Sequence, residues 1–277
     1  MNNNIRFELS FKNISQLEKK LNFCKLNNIK NINIPCKGPI KKELFNSTIN
    51  YISKNFQELN VTYHYSLYHQ YSKNKKNSYK EFLDFVKSYQ TNKNFEILLV
   101  SGSNKKKNFD SVHVLAYLKK ELNLKVKLGI AYNPYLKKYY NITSERERFE
   151  KKISTGLINS IWFQYGTDIK VLQNEVTYLK NVAKEIKLNL FGSLFIPSKQ
   201  FIARFKFRPW KEVYISKKFL YDFENYFDFT NDLVSFYKKN NITPVIESDF
   251  SSSEKLDSVY SFLEMKDIGI QLKNYEK

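Results

Sequence analysis

Ionisable and hydrogen-bonding side chains recur at one kind of place in this sequence, the end of a short β-branched or aromatic run. In chain order they are Glu8 and Ser10, Lys37-Gly38, His64 and Ser66, Ser101-Gly102-Ser103-Asn104, Tyr132-Asn133, Gln164, Pro197-Ser198 and Glu247-Ser248-Asp249. Glu8 lies in Ile5-Arg6-Phe7-Glu8-Leu9-Ser10-Phe11, where strand alternation puts it on one face with Arg6 and Ser10. A carboxyl on an enclosed face is desolvated, its pKa rises, and it is ready to give a proton. An ion pair with Arg6, or an exposed edge position, fits the same spacing. His64, in Val61-Thr62-Tyr63-His64-Tyr65, suits either a structural role or proton transfer. The Gln164 amide donates and accepts together, which matches a heterocycle edge or an ordinary loop contact. Gly102 between two serines lets a phosphate or ribose approach the backbone, or makes a simple turn. His69 and His113 have no evident partner and read as structural or surface residues. No set of His and carboxylates has metal-ligand spacing, so a metal site is not expected.

The elements that must carry these groups follow one rhythm. Strand-like runs at 5–10, 31–35, 60–66, 95–100, 125–131, 158–164, 189–196 and 243–247 alternate with amphipathic helical stretches. Ile14, Leu17, Leu21, Cys24 and Leu26 make one helix face. Phe82, Leu83, Phe85, Val86 and Tyr89 make a second, and Val112, Leu115, Leu118 and Leu122 a third. Val171, Leu172, Val176, Leu179, Val182 and Ile186 make a fourth. Ser78 and Asp110 read as helix caps, Ser144 with Glu147 as a capping box, and Pro39 as a first-turn proline. Strict alternation means parallel strands with right-handed crossovers. Eight units in 277 residues predict a single (β/α)8 TIM barrel domain over 1–277, with its site at the carboxyl ends of the strands. An open, doubly wound sheet fits less well, because no Gly-x-Gly-x-x-Gly follows the first strand and the chain has only seven glycines. Two departures from regularity are expected. One is an extended segment after strand 7, running from Phe201 to Phe223 before a helix near Asn225. The other is a C-terminal helix from about Ser252 to Met265.

A formal charge of +19 usually points to nucleic acid or an anionic membrane. Of the 46 basic residues, however, only five are Arg, and the lysines are scattered along every helix. Specific phosphate and base readers lean on Arg for its bidentate geometry. Lys, Asn, Ile, Phe and Tyr all have A/T-rich codons, so a skewed genome gives this composition without a polyanionic ligand. Nucleic acid and a membrane are therefore not expected partners. A multiply charged substrate or cofactor fits the basic rim. No apolar run approaches the roughly 20 residues of a membrane span. The opening residues lack a secretory signal pattern, and two cysteines in separate elements suit a reducing compartment, so a cytoplasmic location is expected.

Six short matches, in collinear order over about 5–220, resemble the methylenetetrahydrofolate reductase family. Phe7-Glu8-Leu9-Ser10-Phe11 resembles its opening Phe-Glu-Phe-Phe-Pro-Pro, and Tyr63-His64-Tyr65 its His-Leu-Thr. Leu99-Val100-Ser101-Gly102-Ser103 resembles Leu-Arg-Gly-Asp. The run from Leu128 to Pro134 is similar to Ile-Gly-Val-Ala-Ala-Tyr-Pro-Glu. Lys151-Lys152-Ile153-Ser154-Thr155-Gly156 with Phe163-Gln164 resembles Lys-Val-Asp-Ala-Gly ending in Thr-Gln. Gly192-Ser193-Leu194-Phe195-Ile196-Pro197 with Phe201 resembles Gly-Ile-Met-Pro-Ile and its downstream Phe.

The resemblance implies a flavoprotein oxidoreductase of one-carbon metabolism and methionine biosynthesis. It would reduce 5,10-methylenetetrahydrofolate to 5-methyltetrahydrofolate with FAD as cofactor and NADH or NADPH as reductant. On this reading Glu8 is the acid that protonates the folate nitrogen and opens the five-membered ring. Gln164 and Phe201 hold the pterin. His64, Gly102, Ser103, Tyr132, Glu145 and Lys152 line the flavin, with Lys152 near its phosphates. The expected partners are a tetrahydrofolate substrate and a further copy of the chain or a partner enzyme. The sequence departs from the family mostly on the flavin side. Arg-Gly-Asp has become Ser101-Gly102-Ser103, Tyr-Pro-Glu reads Asn133-Pro134-Tyr135 without the following His, and the eighth strand lacks His-Phe-Tyr-Thr-Leu-Asn. These departures carry a second expectation: a flavin-free barrel that binds a folate or a partner enzyme without redox activity.

Overall fold

The structure, a computed structural model, describes residues 5–38, 40–101, 110–121, 127–136, 145–196, 198–210, 212–248, 250 and 252–264. Eight parallel strands close into a barrel: β1 Arg6–Glu8, β2 Asn31–Ile34, β3 Asn60–Ser66, β4 Phe95–Val100, β5 Lys127–Tyr132, β6 Ile158–Phe163, β7 Asn189–Leu194 and β8 Ile242–Ile246. They occur in sequence order around the barrel. β8 pairs back onto β1 in parallel, with Arg6 opposite Val245 and Phe7 opposite Ile246. Between them run α1 Ile14–Leu26, α2 Lys42–Asn55, α3 Lys75–Tyr89, α4 Ser111–Leu118, α5 Glu145–Ile153 and α6 Ile169–Val182. The segment after β7 is not simply extended. It holds α7 Lys199–Phe207, α8 Lys217–Tyr221 and α9 Phe223–Asn240. The expected final helix is α10 Ser253–Glu264. No helix among the described residues is long and apolar enough to cross a membrane.

Alternation along each strand sorts the side chains into two compartments. Outward residues meet the apolar helix faces, as where Tyr63 and Tyr65 pack edge-on against Phe45 of α2. Inward residues form a separate lumen cluster of Leu98, Trp162, Phe191 and Val245. The helix faces behave as their spacing predicts in the middle of each helix: Leu17, Leu21 and Cys24 of α1 and Phe82 and Val86 of α3 are buried. At the ends they do not. Leu26 is 78% exposed, and Val182 and Ile186 lie at and beyond the end of α6, exposed.

Asp110 caps α4 by accepting from the Val112 and His113 backbone N–H groups. Ser78 is not a cap. Asn74, four residues earlier, accepts from Asn77 N–H, and Ser78 bonds back to the Asn74 carbonyl from inside α3. Pro39 and Ser144 lie outside the described residues.

One glycine is required by the lumen packing. A Cβ on Gly129 of β5 would stand 2.6 Å from both Ser160 Oγ and Trp162 Nε1 on neighbouring β6. Gly129→Ala therefore pushes the indole out of its place and is expected to cost about 1–3 kcal/mol. A urea midpoint that does not move would contradict this packing.

Candidate active site at the carboxyl mouth

The strand ends converge on a group of four ionisable residues. Glu8 ends β1 and faces the lumen, as alternation from Arg6 predicts, with its side chain 5% exposed. Glu247 follows β8, and barrel closure sets it beside β1. Lys37 lies in the loop after β2. Its stem is open to the mouth, but its ammonium reaches down to 2.5 Å from Glu8 Oε1 and 3.9 Å from Glu247 Oε2. His64 of β3 completes the group, with Nδ1 3.8 Å from Glu8 Oε2. Ser193 of β7 donates to Glu247 Oε1 at 2.5 Å. Beneath lies an aromatic floor, where Trp162 stacks on Phe191 with centroids 4.0 Å apart and His64 meets the indole edge-on at 6.1 Å.

Two buried carboxyls share one ammonium, and this sets their charges. Burial alone would raise the Glu8 carboxyl, but the Lys37 ammonium in direct contact outweighs it and holds Glu8 below the usual carboxylate range. Glu247 is farther from Lys37. Burial and the Glu8 charge push it up to about 7. The two carboxylates more than offset the desolvation of Lys37, whose pKa rises. Burial pushes His64 down to about 4, so its ring is neutral at pH 7. The sequence expectation for Glu8 is thus reversed. Glu8 is the ionised member, and Glu247 is the one that still carries a proton near neutrality. Arg6 does not pair with Glu8 either: its Nε donates to Asn33 Oδ1 and its Nη2 to Thr62 Oγ1, each at 2.8 Å.

The other residues singled out in the sequence are distributed as follows. Gln164 stands one residue past β6, half-buried on the rim, with its backbone N–H bonded to the Tyr132 carbonyl at 2.9 Å. Phe201 sits on α7 inside an aromatic cluster, near-parallel to Phe195 at 4.8 Å and to Tyr226 at 5.7 Å. Tyr132 faces away from the lumen: its hydroxyl bonds to Glu175 of α6 and its ring meets Phe149 edge-on. Glu145 and Lys152 of α5 pair with each other at 3.7 Å. The buried Lys152 ammonium also donates to the Ala131 carbonyl at 3.4 Å, and burial lowers its pKa. His113 does have a partner, Asp110, at 3.0 Å. Gly102 and Ser103 lie outside the described residues.

Of the six positions expected to line a flavin, His64, Tyr132, Glu145 and Lys152 lie among the described residues. Tyr132 is turned to the helix layer, and the Lys152 ammonium is closed in by Glu145 and a carbonyl. Among the described residues of that set only His64 faces the mouth. Its buried Nε2 has no hydrogen-bond partner among the described residues. Sequence reasoning placed Lys37 and Glu247 at strand ends but gave them no role, since alternation says nothing about which loops meet across a barrel.

No family model and no curated protein matches the chain. Solved structures do. An uncharacterized protein from Clostridium thermocellum, which binds two copies of 5-methyl-5,6,7,8-tetrahydrofolic acid, aligns at TM-score 0.61 and 14% identity, covering 95% of each chain. Active domain 2 of a thermostable chitinase from Pyrococcus furiosus aligns at TM-score 0.51 and 13% identity, covering 97% of each chain. At these identities the likeness shows the barrel fold alone.

The neutral His64 has a thermodynamic consequence. Its folded pKa of about 4 lies below the unfolded value of 6.5, so the unfolded state binds the extra proton first. Its contribution to stability is complete above pH 6.5 and is lost as pH falls toward 4, by up to about 3 kcal/mol. His64→Phe is expected to lose less stability than the wild type between pH 7 and 4.5. Parallel losses in the two proteins, measured by urea unfolding, would mean that His64 is protonated in the fold.

Proposed function

We propose that the protein binds a reduced folate at the carboxyl mouth of the barrel, with Glu8, Lys37 and Glu247 engaging the pterin. The observation that carries this reading is the pair of buried carboxyls with unlike charge above an aromatic floor. The pyrimidine edge of a pterin presents parallel N–H donors, which an ionised carboxylate accepts as it accepts a guanidinium. A neighbouring carboxylic acid with a pKa near 7 is suited to protonating a ring nitrogen. The collinear sequence resemblance and the folate-binding neighbour from C. thermocellum both support this ligand class.

Within this reading Glu8 orients the ring and Glu247 holds the mobile proton. Glu247, not Glu8, is then the acid for any step at a folate nitrogen. The reduction of 5,10-methylenetetrahydrofolate with FAD and NADH or NADPH is the finer activity that the resemblance implies. His64 Nε2 at the mouth, which has no hydrogen-bond partner among the described residues, favours it. Because Tyr132 is turned away and Glu145 and Lys152 are paired, we expect purified protein to be colourless. A yellow protein bleached by NADH or NADPH would establish the reductase instead.

Binding is tested by calorimetry with 5-methyltetrahydrofolate, using chito-oligosaccharide as a control ligand. The wild type should bind the folate, and Glu8→Gln should weaken it at least tenfold, about 1.4 kcal/mol. Wild-type affinity should change across pH 7, and Glu247→Gln should flatten that dependence. Saturation by the sugar and not by the folate would overturn the proposal.

A further inference from the structure

The barrel has a second polar compartment at its other end. A cavity of about 390 Å³ opens among the amino ends of the strands, on the far side of the Trp162–Phe191 floor. That volume falls within the range of small-molecule sites. Its ceiling is Phe191 and the guanidinium of Arg6, which lies 5.7 Å from the centroids of both Trp162 and Phe191. Arg6 is buried, and burial lowers its pKa to about 10, still well above neutrality. Three of its four hydrogen bonds come from Nη2, to Thr62 and to the Ile32 and Asn60 carbonyls, and the fourth from Nε. Among the described residues none accepts from Nη1, which leaves two N–H donors on a residue that lines the cavity.

The charge balance favours an anion. Among the described residues Glu96 is the one carboxylate lining this cavity, and its two oxygens already accept from Thr62 at 3.2 Å and Ser160 at 2.5 Å. Against it stand Arg6 and the rim residues Lys93 and Lys187. Side-chain amides of Asn60, Asn159 and Asn189 add neutral hydrogen-bonding groups from three separate strands. A buried cation with open donors, a cationic rim and an amide lining together make a receptor for a small anion with further polar groups.

We propose that the amino-end cavity is a second ligand site, separate from the mouth, for a small phosphate- or carboxylate-bearing metabolite. Direct contact with Arg6 would bind the anionic group, with Lys187 attracting it at the rim.

The test is a calorimetric and thermal-shift titration of the full chain with inorganic phosphate, and separately with citrate, at fixed ionic strength. Because the protein is strongly basic, the comparison is between Lys187→Glu and Lys12→Glu, which change the net charge equally. Lys12 is exposed and precedes α1, away from the cavity. The proposal expects saturable binding of at least one anion, weakened at least fivefold by Lys187→Glu and unchanged by Lys12→Glu. Phosphate alone, or citrate alone, identifies which anionic group the site takes. Non-saturable binding, or equal weakening by the two lysine reversals, would show general charge attraction only and overturn the site.

Discussion

One ammonium shared between two buried carboxyls governs the carboxyl end of this barrel. Lys37 touches Glu8 and stands 3.9 Å from Glu247, so a single positive charge faces two groups that each favour ionisation in water. Burial makes two negative charges around one positive charge unfavourable, and a proton is retained on the farther carboxyl. The asymmetry of distance thus becomes an asymmetry of charge. Everything proposed for the mouth follows from it: one group to hold a ligand's N–H edge, and one to carry a proton.

The arrangement depends on barrel closure. Glu8 ends the first strand and Glu247 directly follows the last, 239 positions later, and they are neighbours because β8 pairs with β1. His64 and Lys37 come from the next two strand ends. Below them, Trp162, Phe191 and Arg6 separate the mouth from the amino-end cavity, so the lumen is two polar chambers with an aromatic partition. The tight fit of Trp162 against Ser160 and Gly129 keeps that partition in place.

Much of this scaffold is legible in the sequence. The hydrophobic period switches between two and 3.6 at each element, so eight strands and their helices can be found without a template. The inward orientation of Glu8 follows from alternation with Arg6. The partner and charge of Glu8 do not follow, because Lys37 lies outside any strand and reaches its partners only through a loop. The sign of the Glu8 shift depends on a contact distance, which no pattern encodes. Tyr132 is a different case. Its parity with Leu128 and Ile130 marks it as outward-facing, and the family resemblance overrode that signal. Asn74 took the cap expected of Ser78 because either side chain can accept from the backbone, and the choice rests on where the helix packs.

NMR of the protein with 13C-labelled glutamate carboxyls reads the unlike ionisation of Glu8 and Glu247. Glu8→Gln and Glu247→Gln spectra assign the two resonances. The Glu247 signal should titrate near pH 7, and the Glu8 signal should titrate below pH 4.5. Two resonances that titrate together near pH 4.5 would contradict it.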